Sequence, residues 1–379
     1  MPYMSVWEEE SFYAPQDLMI VGAGLMGLWT AFEFKKKFPD LQVTIIERTS
    51  APLGASTRNA GFACFGSPTE LIHDAERIGT DAMLEIVEMR IRGIEKIKQH
   101  FSVSDIVYDD CGGYECINKD YKYFDQLADR LNWLNRLLKP ITGKATSFTE
   151  QKEQLAALGL RGFDTLVYNP AEAGLHSGHL VRKLIQKVQS AGVNILSGIN
   201  IEGYTKNKDH ILLLNNEQIA LQAKQVLFCT NAFTQQILPS VNVTAGRGQI
   251  IVTSPIRNLQ LKGTFHFDEG FYYWRNLGNR ILLGGARNAA FEEEETTEFT
   301  RNEKLKTVLI QFLKDHISPE CHFGVDYHWS GIMGFTEDKK PCINKVDDGV
   351  FAAIACNGMG VALTPIMAEK AASLITEHF

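Results

Sequence analysis

Two uncharged stretches of the chain, residues 18–32 and 349–368, could be mistaken for membrane spans, and each joins a short apolar run to glycines and then to more apolar residues. The second is nominally long enough to cross about 30 Å of hydrocarbon. Asn357, Gly358, Gly360 and Pro365 in its middle would punctuate a continuous helix but suit a strand, a tight turn and a new helix. Both stretches therefore predict a buried strand, a glycine turn and a buried helix. Residues 18–21 read as the first strand, 25–37 as its helix and 43–46 as a second apolar strand. Helical periodicity follows over 69–100 and 121–138, with a Gly112-Gly113 turn between short strand candidates. A helix over 178–190 leads to strands about Ile195 and Ile201, then an apolar strand over 223–229. Residues 244–253, 271–274 and 280–283 form a strand-rich tract. The alternation of strand and helix marks an α/β chain.

Length changes this picture by suggesting two or three domains, since 379 residues exceed a typical domain of about 150. A hydrophobic fraction of 45% and a charged fraction of 22% supply a sizeable core and argue against disorder. The formal charge of -7 provides no field that would recruit phosphate backbones or anionic lipid, so no nucleic acid and no membrane span are expected. The cysteines are odd in number at 7, scattered and without a CxxC pair, which fits a reduced compartment and no structural metal site. The N-terminus lacks the basic and apolar regions of a signal peptide, Trp7 being followed by Glu8, Glu9 and Glu10, so the protein is expected to be cytoplasmic.

Gly22, Gly24 and Gly27 follow the first strand in GxGxxG spacing. A tight exit from a strand, a backbone open to a pyrophosphate and close helix packing each require a residue without Cβ. Ala23, Leu25 and Met26, between those glycines, start a helix whose N–H groups and dipole favour phosphate. Glu47 ends the second strand about twenty residues on, where an acid can accept hydrogen bonds from an adenosine ribose. Strand, glycines, helix, strand and acid in order indicate an adenine dinucleotide. Glu47 disfavours a 2′-phosphate, with Arg48 beside it weakening that argument, and leaves NAD and FAD open.

The next residues separate them. Gly54-Ala55-Ser56-Thr57-Arg58-Asn59-Ala60-Gly61 resembles the GAS-x-RN-x-G signature of the FAD-dependent D-amino acid oxidase superfamily, in the branch of glycine oxidases, sarcosine oxidases and γ-glutamylputrescine oxidoreductases. The resemblance implies that this turn and helix run beside the ribityl chain and isoalloxazine. It continues in order along nearly the whole chain. Asn169-Pro170-Ala171-Glu172-Ala173-Gly174-Leu175-His176 precedes the helix over 178–190, and the strand about Ile201 is implied to border the adenine. Cys229-Thr230-Asn231-Ala232-Phe233 resembles the "ATGAW" turn, with Asn231 in place of the usual glycine, and Arg247-Gly248-Gln249 matches "RGQ". Trp329-Ser330-Gly331 through Pro341 resembles "W-x-G-x-x-x-x-T-x-D-x-x-P", and Cys356-Asn357-Gly358-Met359-Gly360-Val361 the "G-x-x-G-H-G" turn with Met359 in place of histidine. That turn is implied to aim a helix N-terminus at the pyrimidine end of the flavin.

The family implies an α/β fold: a Rossmann-like FAD-binding domain of glutathione-reductase type and a discontinuous α+β substrate domain on a mostly antiparallel sheet. The expected boundaries are 1–85, 151–235 and 325–379 for the first and 86–150 and 236–324 for the second. Tyr272-Tyr273-Trp274-Arg275 and Leu283-Gly284-Gly285-Ala286-Arg287 resemble the family's "YY-x-R" and "l-x-GG" strands, so Tyr273, Arg275 and Arg287 are the candidates to clamp a substrate carboxylate. Ile281, Leu282 and Leu283 are apolar where sarcosine oxidases carry a lysine, and Met333-Gly334-Phe335-Thr336 stands in for their flavin-anchoring cysteine motif. Non-covalent FAD is therefore expected, with oxygen or another electron acceptor.

Other groupings are set aside: His176 with His179 as metal ligands, Cys321-His322 with His316 as a nucleophilic pair, and Glu292 to Glu295, read as a solvated acidic loop. The expected activity is FAD-dependent oxidation of a C–N bond in a small amine or amino acid by hydride transfer, the imine then being hydrolysed. The alternatives are the same fold acting on the C–O bond of a hydroxy acid, a flavoprotein without turnover that serves as an assembly partner, and an NAD-dependent dehydrogenase.

Overall fold

The computed structural model describes residues 4–317, 322–354 and 356–378. It divides into two compact units: Met1–Thr57, Gly178–Gly246 and Met333–Phe379 form the first, and Arg58–Ser177 and Arg247–Ile332 the second.

The first unit is a parallel sheet in which Gln16–Val21 lies between Val43–Glu47 and Leu221–Phe228. Asn194–Ser197 extends one side in parallel and Val350–Ile354 the other, with Cys342–Asp347 antiparallel at the edge. The first strand thus sits where the winding reverses, the place at which doubly wound sheets open a crevice at their carboxyl ends. Strands covered on both faces are buried at successive residues rather than alternate ones, as Val43–Glu47 is along its whole length. The helix Leu25–Lys37 begins as expected after Gly24 and buries Leu25, Leu28, Trp29 and Phe34. Its other main partner is the helix Gly360–Thr376, which explains why neither shows a clean polar face.

The second unit is built on a mixed, mostly antiparallel sheet. Its strands run in the order Val325–Phe335, Thr244–Thr253, Arg280–Gly285, Tyr272–Leu277, Thr264–Phe267, Gly113–Ile117, Thr165–Asn169, Thr149–Glu150, with only Thr264–Phe267 and Gly113–Ile117 parallel among the registers described. One face is apolar: Ile251, Phe265, Trp274, Ile281 and Leu283 pack with Leu305, Leu309 and Phe312 of the helix Glu303–Phe312. The other carries the polar residues described below.

Three expectations change here. The periodicity over 69–100 is two helices, Pro68–Ile78 and Thr80–His100, because Gly79 takes φ +88° between them. Residues 58–85, 151–177 and 325–332, placed by the sequence with the FAD-binding domain, fall in the second unit, and 236–246, placed with the substrate domain, fall in the first. Leu71 and Val87 share a core with Leu131 and Leu134, and Thr165–Asn169 pairs with Gly113–Ile117. Periodicity reports that a helix has an apolar face, not which sheet that face covers. The acidic run is not simply solvated either, since Glu294 is fully buried. Cys321, set aside above, lies outside the described residues. Among the described residues no helix is long and apolar enough to cross a membrane.

Candidate functional site

In the first unit the glycine turn leaves no room for side chains. A Cβ on Gly27 would lie 2.0 Å from the Gly22 carbonyl oxygen, and one on Gly22, at φ +110°, would lie 2.8 Å from the Cys229 carbonyl oxygen. A Cβ on Gly24 would meet the Ser56 hydroxyl at 2.9 Å. Ser56 in turn accepts a hydrogen bond from the Leu25 N–H at 2.8 Å, so the GAS segment is tied to the helix start. Glu47 binds the same turn: one carboxylate oxygen accepts from the Ala23 N–H at 3.0 Å, the other from the Thr49 N–H at 3.1 Å and hydroxyl at 2.7 Å. A carboxylate offers about four acceptor sites, so one remains for a ribose hydroxyl. Arg48 stacks on the Phe233 ring at 3.9 Å, and Gly54 has open space where a Cβ would be. Met26 is buried at the helix start, Ala55 and Ser56 open the short helix Ala55–Arg58, and Ile201 is buried at its strand's start.

The second glycine turn of this unit is equally specific. Asn357 and Gly358 both adopt positive φ, +47° and +83°, and deliver the chain to Met359 and the helix at Gly360 and Val361. Asn357 is locked by its side chain, which accepts from the Thr336 N–H at 2.9 Å and donates to the Lys339 carbonyl at 2.9 Å. Met359 caps this helix without a side-chain hydrogen bond. Asn231 also sits at positive φ, +51°, right after Thr230, which is why a glycine is common there and an asparagine tolerable. The glycine cradle, the start of the Gly360–Thr376 helix and the acid at the second strand's end fit an adenine dinucleotide.

The second unit contains the remaining cofactor candidates. The Arg58 guanidinium donates to the Ser330 carbonyl at 2.8 Å, the Trp329 indole donates to the Arg58 carbonyl at 3.0 Å, and a Cβ on Gly331 would come within 3.2 Å of Arg58. Asn59 accepts from the Gly61 N–H at 2.9 Å and the Ser177 hydroxyl at 2.6 Å. Ala60 packs on Ile250, Val252 and Leu282. Gly61, at φ +74°, leaves only 2.2 Å between a Cβ and the Leu175 carbonyl oxygen.

Of the three clamp candidates, Arg275 is buried with one guanidinium nitrogen donating to the Gly61 carbonyl at 2.7 Å and the Leu175 carbonyl at 3.1 Å. A Cβ on Gly174 would strike the same guanidinium at 2.3 Å. These bonds hold two loops together and occupy donors that a substrate carboxylate would need. Tyr273 and Arg287 are a more open pair. Burial pushes the Tyr273 hydroxyl up to about 12 while Arg287 pulls the other way, so it is a neutral donor at ordinary pH. Arg287 stacks on Phe291 at 4.5 Å, and burial lowers its guanidinium.

The same sheet face carries groups that sequence reasoning missed. Glu115, His266 and Tyr273 are register neighbours on three adjacent strands. The His266 Nε2 lies 2.5 Å from Glu172 Oε1, which also accepts from the Thr264 hydroxyl at 2.9 Å. Cys64, Glu172 and His266 are all buried with their polar atoms within 4.8 Å of one another. Two ligands of one zinc ion stand more than about 3 Å apart; the 2.5 Å contact is a hydrogen bond. Glu115 accepts from the Ser67 hydroxyl at 3.0 Å, the Thr69 N–H at 2.8 Å and the Thr69 hydroxyl, and burial raises its carboxyl to about 7. The available signal was the alternation Thr264-Phe265-His266-Phe267, which puts two polar residues on one face of a strand. A second hub lies at the RGQ segment. Arg247 grips Glu294 through Nε and Nη2, both at 2.9 Å, and Gln249 and Asn302 donate to the same carboxylate at 2.9 and 2.8 Å.

Comparison with known proteins gives these observations a context. The family model described as DAO, FAD dependent oxidoreductase, matches residues 17–374. A probable oxidoreductase OrdL of Haemophilus influenzae is 22% identical over 95% of this chain and 82% of its own length. The bifunctional protein ThiO/ThiG of Trichormus variabilis is 24% identical over 96% of this chain, which spans 53% of that protein. Among solved structures, L-proline dehydrogenase from P. horikoshii superposes with a TM-score of 0.77 at 16% identity, covering 96% of this chain and 94% of its own. Glycine oxidase from Geobacillus kaustophilus gives 0.73 at 18%, covering 96% and 95%. At these identities the structural likeness is one of fold.

Proposed function

The chain belongs to the FAD dependent oxidoreductase family, and from that premise we propose that it oxidises a C–N bond of a small amine or amino acid, using non-covalently held FAD. The observation that carries the cofactor half is the cradle at Gly22, Gly24 and Gly27, which a Cβ at any of the three would fill. The amine half is supported by two proteins of the same fold that are named for oxidising an amino acid, L-proline dehydrogenase and glycine oxidase.

In this reading the Leu25 helix start and the glycine turn hold the pyrophosphate, and Glu47 holds the ribose. Ala55 and Ser56, the segment Arg58 to Gly61 and the Met359–Val361 helix start serve the flavin end. FAD, when bound, supplies the acceptor for the hydride that leaves the carbon bearing nitrogen. Tyr273 and Arg287 orient the substrate carboxylate, one as a neutral donor and the other as a fixed cation. Arg275 acts a step back, fixing Gly61 and Leu175 by hydrogen bonds. The absence of a cysteine from Met333-Gly334-Phe335-Thr336 supports non-covalent attachment.

The test is the visible spectrum of the yellow protein under anaerobic conditions, with glycine, sarcosine, D-alanine, L-proline and γ-glutamylputrescine added separately. Bleaching by one of them is expected, and admitting air then shows whether oxygen is the acceptor. Bleaching by a hydroxy acid alone would move the reaction to a C–O bond. A protein that cannot be loaded with FAD would sink the reading.

A further inference from the structure

An amine cannot release hydride while its nitrogen is an ammonium, because the lone pair that drives hydride departure is bound to a proton. In the reaction proposed above the ammonium must therefore lose its proton first, a step that a base near the bound substrate speeds, and the second unit holds an unassigned one. Glu172 is buried and accepts from the Thr264 hydroxyl. Its other close partner is the His266 Nε2 at 2.5 Å, and because a carboxylate only accepts, the neutral imidazole donates Nε2–H to it and carries its lone pair on Nδ1. Among the described residues Nδ1 has no hydrogen-bond partner. His266 stands directly across the strand pair from Tyr273, where side chains on one face are about 5 Å apart at Cβ. The half-buried Phe62 sets its ring edge-on to both, with centroids at 5.3 Å from His266 and 6.1 Å from Tyr273.

We infer that His266, held in one tautomer by Glu172, is the base that takes the ammonium proton of the amine bound at Tyr273. The inference rests on the amine reading. In this step an N–H bond of the ammonium breaks and an Nδ1–H bond forms. The amine keeps the electron pair, and the resulting imidazolium is paired with the Glu172 carboxylate. No oxidant enters until hydride leaves for FAD. Glu172 is a positioning residue that never touches substrate. The charged and titratable groups around the ring are Glu172 from its loop, Glu115 from the neighbouring strand, Glu70 from the helix Pro68–Ile78, Cys64, and Tyr273 and Arg275 from the strand opposite. Burial pulls the imidazolium pKa down, the three carboxylates pull it up, and the net is upward. A raised pKa suits a base whose partner is an ammonium.

The experiment is stopped-flow reduction of the FAD-loaded enzyme under anaerobic conditions at saturating concentrations of whichever amine bleaches it, from pH 6 to 10. The wild-type limiting rate is expected to fall tenfold per pH unit below the His266 pKa. Glu172→Gln keeps the hydrogen bond but removes the charge, and should move that limb to lower pH. His266→Gln should lose the limb, fall about 10²-fold at the plateau and follow the amine's own ionisation instead. A second readout needs no turnover: ¹⁵N-histidine spectra of the oxidised enzyme should show His266 as the Nε2–H tautomer, with a pKa that drops in Glu172→Gln. If His266→Gln fails to fold, the Glu172→Gln shift decides. Profiles that coincide for wild type and Glu172→Gln, or an Nδ1–H tautomer, overturn the assignment while bleaching still stands. A flavin that no amine reduces overturns the parent reading and this assignment with it, and the two failures are told apart by the bleaching itself.

Discussion

The first unit is specified by what its residues lack, and the second by what its residues bury. Around Gly22, Gly24 and Gly27 the constraint is steric: carbonyl oxygens and a hydroxyl occupy the space of a Cβ. On the sheet of the second unit the constraint is electrostatic: Glu115, Glu172, His266, Arg275 and Glu294 are all buried and each is met by a specific partner. The contrast teaches where each kind of information resides. A glycine cradle is local and written in consecutive residues. A buried charge is made tolerable by groups far away in sequence, as Arg247 is by Glu294 and Arg275 by Gly61 and Leu175.

The largest effect is expected at Gly27. Gly27→Ala would place its methyl 2.0 Å from the Gly22 carbonyl oxygen, which belongs to the turn itself and cannot retreat without opening it. The expected result is a protein that purifies without yellow colour or fails to fold, read from the ratio of flavin to protein absorbance. Gly203→Ala in the same unit meets only Leu214 at 3.6 Å, an ordinary contact, and should leave that ratio unchanged.

Next in size is the Arg247–Glu294 hub. Removing one member of a buried pair costs about 3–5 kcal/mol because the other charge is left uncompensated. Glu294→Ala strands Arg247 and withdraws the acceptor used by Gln249 and Asn302, so a fall in Tm of several degrees is expected. An effect no larger than that of an exposed pair such as Lys306–Glu303 would show that the hub is solvated in solution and would dissolve the contrast between the units.

This contrast also explains how far the sequence was legible. The glycine turn, its helix, the acid at Glu47, the C-terminal strand-turn-helix and the strands over 244–253 and 280–283 could be read directly, because each is a local pattern with a local cause. The division between units could not, since nothing in the periodicity of 69–100 says that Leu71 and Val87 will meet Leu131. Glu294 was hidden among three other glutamates, and only its distance from Arg247 distinguishes it. His266 was hidden for a related reason. A single histidine between two phenylalanines looks like any polar residue in a strand until Glu172 is brought to it from across the chain.

Glu115 offers a finer test, through pH. Burial raises its carboxyl from 4.5 to about 7, so the folded state binds a proton that the unfolded chain releases near 4.5. Stability from this group is complete below pH 4.5 and is lost as pH rises through about 7, a decline of about 3 kcal/mol. Glu115→Gln cannot ionise and can still accept from the Thr69 N–H, so the profile of Tm against pH should flatten between 5 and 8. An unchanged profile would mean that the hydroxyls of Ser67 and Thr69 already satisfy the charged form.

The smallest effect is expected at Ala286, and it shows that the steric rule of the first unit also operates in the second, residue by residue. Gly285 and Ala286 both have positive φ, +121° and +58°. At Gly285 a Cβ would lie 1.9 Å from the Phe271 carbonyl oxygen, so no side chain is possible there. At Ala286 the methyl is fully buried, and its N–H donates to that same carbonyl at 2.8 Å. Ala286→Gly relieves the left-handed conformation by about 1–2 kcal/mol. It forfeits about 0.8 kcal/mol of methyl burial and about 0.4–1 kcal/mol through the freer unfolded chain. These terms nearly cancel, so Tm should move by no more than a degree or two. Gly285→Ala should instead be severely destabilising, and equal effects at the two positions would mean that the backbone there adjusts to either residue.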